Sequence, residues 1–101
     1  MTDPVAEARQ EWGSAQRAAL AVQREPGGLP ERERALLAAS VLPQIEAALA
    51  SLDEGFTPDE LVRWNAFLPD AIASLAGAGA LDPGLESARD HMQRGLAALA
   101  A

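Results

Sequence analysis

Few residues in this sequence could carry chemistry, and the single histidine, His91, is the first to consider. It follows Asp90 and lies about one helical turn after Glu86 and Ser87. A metal site built on helices would need Glu-x-x-His or His-x-x-x-His pairs, and neither spacing occurs. A lone histidine on the flank of a helix is usually a surface residue, so the sequence predicts no metal site and no cofactor.

Carboxylates and hydroxyls also give no catalytic arrangement. Glu7 with Glu11 and Glu86 with Asp90 have helical spacing, but both pairs fall where solvent-exposed helix faces are expected. None of the seven serines and threonines lies in a nucleophile-elbow sequence, and no cysteine is present to act as a thiolate. The glycines of residues 77–79 end a helix, whereas a phosphate-binding loop follows a strand. We therefore expect no enzymatic activity and no catalytic residues.

The negative charge of the chain disfavours some classes of binding partner. The chain has 101 residues with 15 acidic and 8 basic side chains, a formal charge of −7, and all the basic residues are arginines scattered along the sequence. Such a charge opposes binding to nucleic-acid phosphates and to anionic membranes. No apolar run of about 20 residues and no signal-peptide pattern occurs, which favours a cytoplasmic location. The abundance of alanine and the absence of lysine are typical of GC-rich bacterial genomes.

Helix start and stop signals divide the chain into four segments. Asp3 and Asp82 are each followed by a proline, which reads as an N-cap with proline in the first turn. Thr57 and Glu60 have the spacing of a capping box, in which each side chain accepts the other residue's backbone N–H. These signals predict a small all-α four-helix bundle, formed as a single domain over residues 1–101. Its helices are expected at about 4–24, 30–53, 58–76 and 83–100.

Two prolines interrupt the second and third predicted helices. Pro43 and Pro69 cannot donate to the carbonyls of Ala39 and Asn65, at a cost of about 3 kcal/mol each. Each proline is expected to kink its helix around the core. Two alternatives stay open at this point. The freed carbonyls could line a binding groove, or a proline could split its helix and give five shorter helices.

The spacing of apolar residues predicts which faces are buried. The first helix has a narrow alanine-rich stripe, and Gly13 and Gly95 indicate close backbone approach between helices. Trp12 and Trp64 both lie on their stripes and are expected to anchor the core. The second helix is the most apolar and is expected at the centre of the bundle.

By elimination, the sequence predicts a small protein-interaction or accessory module that binds a partner protein or itself. The alanine-rich stripe buries modest area, which favours self-association through Trp12, Gly13, Ala15, Ala19 and Gly95. One alternative is a small apolar ligand bound at the two prolines, in a pocket lined by Leu42, Trp64, Phe67 and Leu68. A weaker alternative is an acidic decoy that mimics nucleic acid. The sequence contains no motif by which we identify a family.

Overall fold

The structure, a computed structural model, describes residues 3–25, 28–77 and 79–101. These residues form four helical segments and no β-strand, which confirms the predicted fold of a small all-α four-helix bundle. The first and fourth segments are the uninterrupted helices α1 (Pro4–Arg24) and α6 (Pro83–Ala100). The second segment consists of α2 (Glu31–Leu36), a π-helical turn (Leu37–Val41) and α3 (Leu42–Ser51). The third segment consists of α4 (Pro58–Asn65), α5 (Leu68–Ala73) and a 3₁₀ turn (Ser74–Ala76).

The helix ends are fixed by the residues that the sequence singled out. The carboxylate of Asp3 accepts the N–H of Val5 at 3.1 Å, and that of Asp82 accepts the N–H of Gly84 at 2.8 Å. These bonds satisfy donors that have no partner inside the first helical turn. The chain leaves the third segment at Gly77, whose φ of 59° is readily accessible to glycine. Local capping chemistry therefore sets where α1 and α6 begin.

Both internal prolines interrupt the α-helical hydrogen bonding of their segments. Pro43 is the second residue of α3, directly after the π-helical turn, in which the N–H of Leu42 bonds the carbonyl of Leu37. The wider turn accommodates a residue that cannot donate to the carbonyl four positions earlier. Pro69 is likewise the second residue of α5, and Phe67 before it keeps right-handed dihedrals, with φ −75° and ψ −19°. The segments are thus interrupted at the prolines but do not reverse direction there.

The centre of the bundle is α6, and not the second segment as its apolar sequence suggested. Helix α6 contacts α1, α4 and α5, whereas α3 packs mainly on α1. One face of α6 is fully buried, while the apolar surplus of the second segment is partly exposed, with Leu36 45% accessible. Gly95 on this face lets α1 approach the backbone of α6 closely. Its buried residues are Leu85, Ala88, Met92, Gly95 and Leu99.

The most extensive helix–helix contact among the described residues is the seam between α1 and α6. Trp12 is fully buried, and its indole N–H donates to the backbone carbonyl of Met92 at 3.2 Å. The indole ring lies directly on Gly95, leaving no room there for a Cβ atom. The glycine at position 95 is therefore required by Trp12. Within the described residues, no helix is both long and apolar enough to cross a membrane.

Candidate interaction surface

The start of α4 is held by the predicted capping box. The Thr57 hydroxyl accepts the N–H of Glu60 at 3.2 Å, and the Glu60 carboxylate accepts the N–H of Thr57 at 3.1 Å. These hydrogen bonds from Thr57 hold the pKa of the Glu60 carboxyl below its usual value. Glu60 is therefore a fixed negative charge at neutral pH, one helical turn before Trp64.

Trp64 lies on the surface, although the sequence placed it in the core. Trp64 is 46% accessible to solvent, while the next residue, Asn65, is buried. Asn65 can be buried because its side-chain amide donates to the carbonyl of Leu61 at 2.8 Å. The buried face of the third segment runs through Leu61, Asn65, Leu68 and Ile72. Trp64 therefore sits at the edge of that face and projects toward solvent.

Two further aromatic residues accompany Trp64. The ring of Phe56 meets it edge to face, with centroids 4.6 Å apart and planes at 87°. Phe67 follows one helical turn later, at the interruption before Pro69, and is 48% accessible. Phe56, Trp64 and Phe67 are here called the aromatic face. Because Trp64 and Phe67 lie about one turn apart in right-handed backbone, their exposed rings are expected on the same side of the segment, which is here called the aromatic strip.

The residues predicted to form an interface between copies occupy a different place. Trp12, Ala15 and Ala19 are fully buried and Gly95 is buried beneath Trp12, all within one chain. Gly13 is partly exposed, and a Cβ atom there would meet only the flexible Arg17 side chain, at 3.5 Å. The small residues of the stripe serve the packing of α6 in the same molecule. An interface between copies would need another surface.

The four residues predicted to line a ligand pocket differ in burial. Leu68 is fully buried, Leu42 is partly buried, and Trp64 and Phe67 are exposed. The described groove of about 600 Å³ lies instead where the interhelical loops meet, and none of these four residues lines it. Its apolar lining includes Leu29, Leu75 and Leu81. A pocket at the four residues stays a prediction, and it would need the half-exposed Trp64 and Phe67 to close over the buried Leu68.

One pair of titratable groups does meet, across the seam of α1 and α6. His91 Nδ1 lies 2.7 Å from Glu11 Oε2, and each side chain is 25% exposed. The sequence could not reveal this pair because 80 residues separate its members. Among the hydrogen bonds of the described residues, no hydroxyl is bonded to this imidazole, and no three potential metal ligands cluster there. The pair links the two helices α1 and α6.

Comparison with known proteins gives no match: no family model matches the chain, no curated protein matches its sequence, and no solved structure matches its fold.

Proposed function

We propose that this protein is a non-enzymatic interaction module that binds a partner protein through the aromatic face. The observation that supports the proposal is the exposure of Trp64 and Phe67 in a chain with only four aromatic residues. Tryptophan and other aromatic residues are enriched at the energetic centres of interfaces, where their large rigid surfaces are buried at low entropic cost. A single exposed leucine is common on protein surfaces and needs no explanation. Two neighbouring aromatic residues that are both half exposed are typical of an interaction site.

The size of the face fits a limited interface. Each half-exposed ring leaves on the order of 100 Å² uncovered, since a buried aromatic side chain removes about 150–250 Å² from water. Covering both rings is then worth about 5 kcal/mol of gross burial energy. The ordering of two partners offsets much of this gain, at an estimated 4 kcal/mol or more. We therefore expect a weak or transient complex unless the partner adds contacts beyond the rings.

The small-ligand alternative has less support at the residues first considered for it. A ligand that binds there would need Leu68 and Leu42 to open toward Trp64, but Leu68 is fully buried in the core. Drug-sized ligands require concave sites that cover most of their surface. A half-exposed strip with a fully buried neighbour resembles a docking face more closely than a pocket.

The proposal is tested by affinity capture from an extract of the cells that make the protein. Three baits are compared: the wild type, the double variant Trp64→Ala/Phe67→Ala, and Leu36→Ala as the matched control. Leu36 is also 45% accessible, but it lies on α2, outside the aromatic face. We expect one or more proteins to be retained by the wild type and by Leu36→Ala and to be lost with the double variant. Identical capture by all three baits contradicts the proposal, provided that circular dichroism shows the variants folded.

A further inference from the structure

We infer that the aromatic face receives a basic amphipathic segment of a partner protein, and not a second copy of this chain. The inference rests on the proposed function, because it assigns a chemical class of partner to the same surface. It is carried by the charges that border the face and by the area that the face offers.

Acidic side chains dominate the sequence around the face. Residues 53–70 contain five carboxylates and one basic residue, Arg63. Asp53 is already paired with Arg9 at 2.6 Å, so its charge is compensated within the molecule. Glu60 is ionised at neutral pH, as an ordinary glutamate is, and hydrogen bonds from Thr57 lower its pKa further. The carboxylates of this segment are Asp53, Glu54, Asp59, Glu60 and Asp70.

The arrangement along the helices places these charges beside the aromatic strip. Asp59 and Arg63 are exposed and lie four residues apart on one flank of α4, and Asp70 is exposed in the first turn of α5. Glu60 lies one turn before Trp64, on the side of the helix that the ring occupies. An apolar strip bordered by negative charge is complementary to a partner segment with apolar anchors and flanking lysine or arginine.

A second copy of this chain fits the face poorly. In a two-fold dimer the same patch meets itself, so the carboxylates of one copy would face those of the other. Like charges brought together across an interface disfavour the complex. The exposed surface of the two rings also amounts to only about 200 Å², since a fully buried aromatic side chain removes about 150–250 Å² from water. A stable dimer of ordinary size buries about 800 Å² on each partner.

The inference is tested with three synthetic peptides of about 18 residues, roughly five helical turns. The first is amphipathic with leucine anchors and lysine at the polar positions. The second has the same leucine positions with glutamate in place of lysine, and the third is a scrambled version of the first. The indole N–H signals of Trp12 and Trp64 in a ¹H–¹⁵N spectrum report the site, because Trp12 is buried and bonded to Met92. We expect the lysine amphipathic peptide to shift the Trp64 signal and to leave the Trp12 signal in place.

Affinities of fluorescently labelled peptides then separate the face from general charge attraction. Trp64→Ala/Phe67→Ala should weaken binding of the lysine peptide about tenfold or more, as loss of an aromatic anchor does. Asp59→Asn/Asp70→Asn should weaken it about threefold at low salt, as for charges at an interface rim. The matched control Glu7→Gln/Glu31→Gln also removes two exposed first-turn carboxylates, but from α1 and α2, and should leave binding unchanged.

Each other outcome overturns the inference in an identifiable way. Equal binding of the scrambled peptide, or equal weakening by both carboxylate pairs, means non-specific attraction to an acidic protein. Preference for the glutamate peptide, or no binding by any peptide, means that the partner is not basic and amphipathic. Sedimentation that shows a micromolar dimer lost in Trp64→Ala/Phe67→Ala means that a second copy covers the face. In these cases the capture experiment can still succeed, so the partner class fails separately from the proposed function.

Discussion

Replacement of Gly95 by alanine tests the packing of α1 against α6 directly. A Cβ atom at position 95 would lie 2.5 Å from Cδ1 and 3.1 Å from Cε2 of Trp12, and closer still to its Nε1 atom. Real Cβ atoms do not approach other atoms at the shortest of these distances, so the fully buried indole must move. Its hydrogen bond to the carbonyl of Met92 would then be broken or distorted.

The expected effect has three contributions. Alanine gains up to about 1 kcal/mol over glycine inside a helix. Overpacking of a filled core costs about 1–3 kcal/mol, and a buried indole N–H left without its acceptor costs about 1–3 kcal/mol more. Gly95→Ala should therefore lower the free energy of unfolding by about 1–5 kcal/mol, when the two costs are reduced by the full helix gain. The matched substitution Gly13→Ala should raise it by up to about 1 kcal/mol, because its Cβ atom meets only Arg17, at ordinary contact distance.

Urea denaturation of the three proteins measures both changes. In a domain of this size, 1 kcal/mol corresponds to about 4–8 °C in melting temperature, so thermal unfolding gives an independent value. Tryptophan emission should also shift to longer wavelength in Gly95→Ala, since Trp12 is otherwise shielded from water. The reasoning is refuted if Gly95→Ala is as stable as Gly13→Ala. That result would show that Trp12 does not rest on the backbone of α6.

Two further predictions concern the capping box at the start of α4. Thr57→Ala should cost about 1 kcal/mol in chemical denaturation, and a change below about 0.3 kcal/mol would show that the cap does not stabilise the helix. The second prediction concerns pH: because the folded state lowers the pKa of Glu60, its stabilisation is present above the ordinary glutamate value of about 4.3 and is lost as the pH falls through the lowered value. Glu60→Gln keeps an acceptor for the Thr57 N–H but does not titrate there, so its urea midpoint should fall less than that of the wild type on acidification. An identical fall in both proteins would assign the acid sensitivity to other groups.

The helix ends and the stripe of α1 could be predicted because they depend on local chemistry. Asp3 and Asp82 cap their helices through backbone groups two residues away, so sequence neighbours contain all the information needed. The five residues that α1 buries also follow from one uninterrupted helical period, since nothing breaks the helix between its caps. They are Ala8, Trp12, Ala15, Ala19 and Val22.

The exposure of Trp64 could not be predicted in the same way. Apolar spacing favours burial of tryptophan over asparagine, and the structure has the reverse order at positions 64 and 65. The deciding fact is that the Asn65 amide finds the Leu61 carbonyl, which removes the usual penalty for burying a polar side chain. The residue that packs against Gly95 could not be predicted either, because it is distant in sequence. The glycine marked a close approach, but only the fold shows that Trp12 of the same chain makes it.

The division of aromatic residues between seam and surface allows folding and binding to be tested separately. Trp12 is fully buried between α1 and α6, so its truncation should cost stability whether or not a partner exists. Trp64 and Phe67 are about half exposed on the third segment, outside the seam of α1 and α6, so we expect their truncation to leave that seam in place. An aromatic residue that only stabilises the core does not need an exposed ring. A residue that binds a partner needs an exposed ring, because the partner must bury it. A loss of binding in Trp64→Ala/Phe67→Ala without loss of the cooperative fold is therefore the result that distinguishes a docking face from incomplete burial.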